Sequence, residues 1–261
     1  VIALLQSYAL LATICFVGVS AAVAVRLLLL ARSTRQRPEL LLGGGVLGTA
    51  VLGYGTLIAG SILRGPSVVS TDAMAPRVLQ ALGQSLHDLG VTLILAFIVV
   101  VFRPNDRWAK GLAAAMCAAL WIGQLGWEVE NRYRSAQIGN AFWWLRYAVV
   151  WTYSLWTMIE SYRWYGLLRR RTAIGLADPI VANRFFLWGT GAIGTALATW
   201  ASSFSLFLVH DLDRYASWIP VTQVATATIG IATVSLYYLT FFPPAAYRRW
   251  IAGSARPGAR A

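Results

Sequence analysis

Apolar runs of about 20 residues recur along this chain, and a run of that length crosses the hydrocarbon core of a bilayer as a helix. They fall at Ile2–Val25, Leu40–Leu63, Val78–Phe102, Trp108–Trp127, Ala141–Arg163, Ala182–Val209 and Trp218–Phe242. In hydrocarbon a backbone must satisfy its own hydrogen bonds, so such runs read as helices. The expected fold is all-α: a polytopic membrane protein with seven transmembrane helices forming one domain over residues 1–261. The spans take up most of the chain, which argues against a soluble sensor, kinase or DNA-binding module within it. Charge content agrees, because only 12% of the residues are charged, and a soluble domain carries about twice that.

A net charge of +12 could point to nucleic acid, but its distribution points elsewhere. One set of alternate loops receives Arg26, Arg32, Arg35, Arg37, Arg103, Arg107, Lys110, Arg163, Arg169, Arg170, Arg171, Arg184, Arg248, Arg249, Arg256 and Arg260. The other set has only Arg64, Arg77, Arg132, Arg134, Arg146 and Arg214. This is the positive-inside bias, which predicts the N-terminus outside and the C-terminus in the cytoplasm. Membrane lipids, anionic headgroups included, are the partners this charge implies, and nucleic acid is not. Compact loops and the arginine bias suggest a bacterial inner membrane. The first apolar run lacks a basic n-region and is followed by Arg26, so it reads as an inserted helix rather than a signal peptide. Cys15 and Cys117 both fall inside spans, which argues against a disulfide framework.

Two stretches look alike. Leu41-Leu42-Gly43-Gly44-Gly45-Val46-Leu47-Gly48-Thr49-Ala50 aligns without gaps on Leu187-Trp188-Gly189-Thr190-Gly191-Ala192-Ile193-Gly194-Thr195-Ala196. The third and seventh runs align through Phe102-Arg103-Pro104 and Phe241-Phe242-Pro243, which sets Gln84 on Gln223. A parallel repeat of 1–104 and 141–243, with 108–127 as a linker helix, would explain both. Transporters place their sites at such repeat interfaces. Convergence would explain them equally, since Gly, Leu and Ala are common in membrane helices. The three-plus-one-plus-three arrangement resembles the seven-helix superfamily that holds the sugar-transporting PQ-loop proteins and the rhodopsin-like proteins. The resemblance is architectural and spans most of the chain. The Pro-Gln pair of the PQ-loop proteins is not found in the helices. The only lysine, Lys110, begins the fourth run, which rules out a retinal Schiff base in the seventh. No functional residue carries over.

Gly44 with Gly48, and Gly191 with Thr195, are small-xxx-small pairs that suit close helix contact. Asp178-Pro179 reads as an N-cap followed by a first-turn proline. Trp108, Trp127, Trp143, Trp144, Trp164, Trp218 and Trp250 lie near span ends and read as interfacial anchors.

The polar residues of the spans gather toward the N-terminal end of the third. There Gln80, Gln84, His87 and Asp88 share one helical stripe. The fourth span offers Trp121, Gln124 and Glu128, and the fifth Trp143, Trp144 and Arg146. The sixth adds Trp200, Ser202 and Ser203, and the seventh Gln223 and Thr226. Packed inward, they would form an aromatic-walled polar pocket open to the outside, and ligand sites are mostly apolar with a few placed polar groups. The candidate ligand-binding residues are Gln84, His87, Asp88, Trp121, Gln124, Glu128, Trp144, Arg146, Trp200 and Gln223, with Arg146 facing Glu128, Asp88 or a ligand carboxylate. The same groups could instead bond one another and fix helix packing. Buried ionisable groups in membranes tend toward function, and Asp88 leads here, then His87. Glu160, with Arg184 as a partner, reads as an ion pair joining the fifth and sixth spans.

Two histidines, His87 and His210, exclude a three-histidine zinc hydrolase and an HExxH motif. Their different depths argue against haem ligation. Ser85 cannot easily meet His87 from two positions away on a helix. No nucleophile elbow, phosphate loop or dinucleotide fingerprint is present. The expectation is therefore a non-enzyme without a cofactor. Its leading reading is a receptor-like or small-ligand-binding membrane sensor, signalling to a cytoplasmic or membrane protein partner. A small-solute transporter, proton-coupled through Asp88, and a structural subunit of a membrane complex are the alternatives.

Overall fold

The computed structural model describes residues 2–64, 73–130, 140–207 and 212–254. Among these residues it is all helical. α1 (Ile2–Thr34) turns through Arg35, whose φ of 55° is left-handed, into α2 (Arg37–Val46). Pro38 sits in the first turn of α2, where its missing N–H is harmless. α2 runs without a break through a π-helical segment (Leu47–Gly53) into α3 (Tyr54–Arg64), making one rod. Then follow α4 (Met74–Phe102), α5 (Arg107–Glu130), α6 (Ala141–Ala173), α7 (Pro179–Phe207), α8 (Leu212–Phe241) and the short α9 (Ala245–Ser254).

Five helices among the described residues are long and apolar enough to cross a membrane: Leu10–Thr34, Arg37–Leu63, Met74–Phe102, Arg107–Glu130 and Val224–Phe241. The chain thus has the build of an integral membrane protein. The sequence led us to expect seven such spans. α6 and α7 are long enough but fall outside the five. α6 carries Arg146, Glu160 and Arg163 among many Trp and Tyr residues, and α7 carries Asn183 and Arg184 near its start.

The helices pack in a closed circuit. α1 lies against α2 and the π segment, which lie against α4. From there α4 meets α5, α5 meets α6, α6 meets α7, α7 meets α8, and α8 returns to α1. The main core lies between α4, α5 and α6. Val91, Leu95, Ile98 and Phe102 recur every three or four residues on α4 and meet Ala113, Met116 and Leu120 of α5 and Val149, Tyr153 and Trp156 of α6. Two N-caps set entry angles. Asn140 Oδ1 accepts from Trp143 N at 2.8 Å, and Asp178 Oδ1 accepts from Ile180 N at 2.8 Å, as the Asp-Pro pair implied.

The α2–α4 contact is backbone to backbone. A Cβ on Gly48 would lie 2.8 Å from Gly90 Cα, and one on Gly90 would lie 2.7 Å from Gly45 O. Gly53 backs onto the Cα of His87 at 2.9 Å from such a Cβ. The small-residue pair at this contact is therefore Gly45 and Gly48, whereas Gly44 meets the Leu93 side chain. Gly191 packs on the Tyr237 ring of α8. Trp127 and Trp143, expected at the membrane interface, are instead buried, while Trp108 and Trp250 are exposed.

Candidate functional site

The polar stripe of α4 is brought against α6 as a closed network. Arg146 donates from Nε to Asp88 Oδ2 and from Nη2 to Asp88 Oδ1, both at 2.7 Å. Nη2 also donates to Gln84 Oε1 at 2.6 Å. Of the two acids that could face Arg146, the structure pairs it with Asp88. Asp88 is fully buried and Arg146 nearly so. A two-toothed arginine–carboxylate pair is among the strongest charge-assisted contacts. Both protons of Nη2 are used, so the 3.4 Å approach of His87 Nδ1 to it is simple proximity. His87 Nδ1 lies 2.9 Å from Asp88 Oδ1. A carboxylate oxygen accepts, so the contact is Nδ1–H donating to Asp88. The His87 ring meets Tyr54 edge-on, with centroids 5.9 Å apart.

The other candidates fall into place around this network. Gln124 Nε2 donates to Glu128 Oε1 at 3.0 Å in the α5 interior, leaving Gln124 Oε1 without a partner. Gly123 lets α5 approach the Arg146 backbone, at 3.0 Å from a Cβ placed there. Trp121 Nε1 donates to Thr92 Oγ1 at 3.2 Å, tying α5 to α4. Trp144 meets Trp143 edge-on at 4.7 Å. Trp200 is half exposed. The side chains of Ser202, Ser203 and Gln223, and His210 altogether, lie outside the described residues.

Beside the network lies a cavity of about 120 Å³ between α1, the α2–α3 rod, α4, α6, α7 and α8. Of the nine candidates whose side chains are described, only His87 lines it. Aromatic walls come from Phe16, Tyr54, Tyr153, Trp188, Tyr237 and Phe241, and smaller ones from Ser20, Thr49, Ala50, Ser154, Thr157, Ala192, Thr195, Thr199, Gly230 and Thr233. The cavity thus runs from the level of His87 toward the end of the bundle where α8 stops at Phe241. Five of its serine and threonine hydroxyls already donate one turn back along their own helix: Thr49 to Gly45 O, Ser154 to Val150 O, Thr157 to Tyr153 O, Thr195 to Gly191 O and Thr199 to Thr195 O. Tyr237 Oη meets Thr195 Oγ1 at 3.1 Å. Trp188 Nε1 and Thr233 Oγ1 are buried without a hydrogen-bond partner, sealed from the cavity, and Thr233 Oγ1 packs against Gly194. A buried polar atom without a partner costs about 1–3 kcal/mol.

Sequence reasoning placed the pocket at the far end of the bundle and missed this wall. A signal was present. Trp188, Ala192, Thr195 and Thr199 advance by steps of four, three and four, and Thr233 and Tyr237 by four, which puts each set on one helix face. The π-helical segment had no such signal. π-helices are rare and occur often at functional sites, and this one contributes Thr49 and Ala50 to the wall and delivers Tyr54 beside His87.

A second charged group closes the opposite end. Arg103, just past α4, donates from Nε to Glu160 Oε1 at 2.7 Å and from Nη1 to Asp106 Oδ2 at 3.0 Å. The bond to Glu160 raises the Arg103 guanidinium further above its ordinary pKa, with burial opposing. Glu160 therefore joins α4 to α6 through Arg103, and not α6 to α7 through Arg184. Arg163 reaches Glu160 Oε2 only at 3.9 Å.

No group of three or more His, Cys, Asp or Glu side chains among the described residues is arranged to hold a metal ion. Cys15 and Cys117 are free thiols. No protein-family model matches the chain, and neither a curated protein nor a solved structure resembles it significantly.

Proposed function

We propose that this protein is a small-ligand-binding, receptor-like membrane sensor that holds its ligand in the cavity between α1, the α2–α3 rod, α4, α6, α7 and α8. The observation that carries this reading is the cavity itself, walled by Phe16, Tyr54, Tyr153, Trp188, Tyr237 and Phe241 with His87 and several hydroxyls among them. Mostly apolar walls with a few placed polar groups are what small-molecule sites have. His87 couples the ligand to the Asp88–Arg146 network and so to the far end of the bundle. A ligand that favours one arrangement of that network shifts the helices, and a partner on the basic face reads the shift. Seven spans with the N-terminus outside, in a bacterial inner membrane, complete the proposal. The closed circuit of helices and the basic residues at one end support it.

Transport is the second reading, favoured by the glycine contact of α2 with α4 and by the irregular π-helical backbone at the cavity. Irregular backbone at membrane depth belongs where it lines a cavity.

Gly230 offers the test. It lines the cavity, and a Cβ there meets nothing within 4 Å. Gly230→Leu should fill the cavity without disturbing the fold. Solvent extraction and mass spectrometry of purified protein should find a compound in the wild type that the variant lacks. Identical extracts would sink the binding reading. Flux of that compound into proteoliposomes would replace the sensor by a transporter.

A further inference from the structure

We infer that α9 is a docking surface for the anionic lipid headgroups of the membrane, lying in the plane of the leaflet at the arginine-rich end of the bundle. The inference does not depend on what the cavity holds. It starts from the break that separates α9 from α8. Pro243 and Pro244 follow soon after Phe241, and neither has the N–H that would carry α8 onward. The helix restarts with Arg248 N bonded to Pro244 O at 3.0 Å. One side-chain bond then fixes where α9 sits. Asn183 Nδ2, one turn into α7, donates to Tyr247 Oη at 2.8 Å, so α9 rests against the start of α7.

The residues of α9 sort by face. Tyr247, Trp250 and Ile251 fall within about 100° of one another around the helix, and Arg248 and Arg249 project from the rest of its surface, both exposed. Tyr247 and Ile251 are half-buried, whereas Trp250, beside Tyr247 with ring centroids 5.8 Å apart, is 64% exposed. An indole, apolar in its body and polar at its N–H, belongs at the boundary of hydrocarbon and headgroups. A short helix with an aromatic edge and arginines beside it has the make-up of one that lies in that boundary. Charge supplies the partner. α6 has 33 residues, about 50 Å of helix, and outruns a hydrocarbon core of about 30 Å. Arg169, Arg170 and Arg171 near its end are exposed and stand at headgroup level. Among the described residues, the acids of this end are engaged or recessed. Asp106 and Glu160 hold Arg103, Asp178 caps α7, and Glu39 is half-buried in the first turn of α2. Anionic headgroups are the complementary charge, and each basic residue near the surface adds to the attraction. Arginine suits a lipid phosphate because its planar fork donates two parallel bonds.

Native mass spectrometry of the detergent-solubilised protein, titrated with dioleoyl phosphatidylglycerol or dioleoyl phosphatidylcholine, tests the docking surface. The wild type should bind the anionic lipid more tightly than the zwitterionic one. Arg248→Gln with Arg249→Gln should weaken phosphatidylglycerol by about tenfold, the effect of two surface charges, and leave phosphatidylcholine unchanged. Arg248→Lys with Arg249→Lys keeps the charge and should keep most of the binding. Arg107→Gln with Lys110→Gln removes an equally exposed basic pair at the start of α5 and should have little effect. Equal losses from the two glutamine pairs would mean that the charge is spread over the whole end and that α9 is no site. A wild type without preference for phosphatidylglycerol would remove lipid as the partner and leave the face to an acidic protein. Depth is read separately, in liposomes, from a nitroxide on Trp250→Cys after Cys15 and Cys117 are replaced by alanine. The label should be more accessible to oxygen dissolved in the bilayer than to an aqueous nickel chelate. The reverse order would place α9 in water and overturn the interfacial placement.

Discussion

A single residue, Arg146, holds three others. It closes on both oxygens of Asp88 and on Gln84, and through Asp88 it fixes the ring of His87. Removing one member of such a pair strands the other charge in a low-dielectric interior, which typically costs about 3–5 kcal/mol. Arg146→Gln should therefore destabilise the protein by about that amount in thermal unfolding, and adding Asp88→Asn should restore much of the loss. Additive losses in the double variant would mean that the two charges do not interact. The sequence showed these residues as one polar stripe plus one arginine, and the stripe does meet the arginine. It could not choose between Asp88 and Glu128 as the partner, because that depends on how far α5 and α6 slide along each other. Nor could it reveal Arg103 as the partner of Glu160, since Arg103 lies just past the end of α4 and reaches α6 only once those helices have packed.

At the scale of elements, glycine decides where the α2–α3 rod touches α4. A methyl group on Gly90 would press on the backbone of Thr49 and lie 2.7 Å from Gly45 O and from Thr49 Cγ2. Neither backbone can give way without moving the rod. Gly90→Ala should thus cost at least about 1–3 kcal/mol, the usual penalty of overpacking. Gly166→Ala, on the exposed face of α6 where nothing lies within 4 Å, should gain up to about 1 kcal/mol from helix propensity. Chemical denaturation of both variants in the same detergent checks this, and equal responses would refute the close contact. The helices themselves were readable from apolar length. Which glycine faces which helix was not: the spacing offered Gly44 with Gly48, while the π-helical turn over Leu47–Gly53 changes the register and the contact uses Gly45 and Gly48. The gapless match of α2 to α7 has one physical echo. Thr49 and Thr195, which it pairs, both donate one turn back and both line the cavity.

For the whole molecule, the consequence is a ring of helices around a polar-lipped aromatic cavity, with the strongly charged groups set outside its wall. The proposed topology puts the turns at Arg35 and Arg103 and the last turn of α6 at Arg170 on the cytoplasmic side. Single cysteines at Ser33 and Arg170 should resist a membrane-impermeant maleimide in intact cells, and one at Ala73 should react; the reverse pattern would invert the protein. The background thiols Cys15 and Cys117 are first replaced by alanine. The central claim is that the cavity holds a ligand, and a crystal structure of the purified protein tests it most directly. The account predicts density for a non-protein molecule in the cavity, against the Trp188 and Tyr237 side chains. A cavity closed by its own side chains, or one holding ordered water alone, would contradict it.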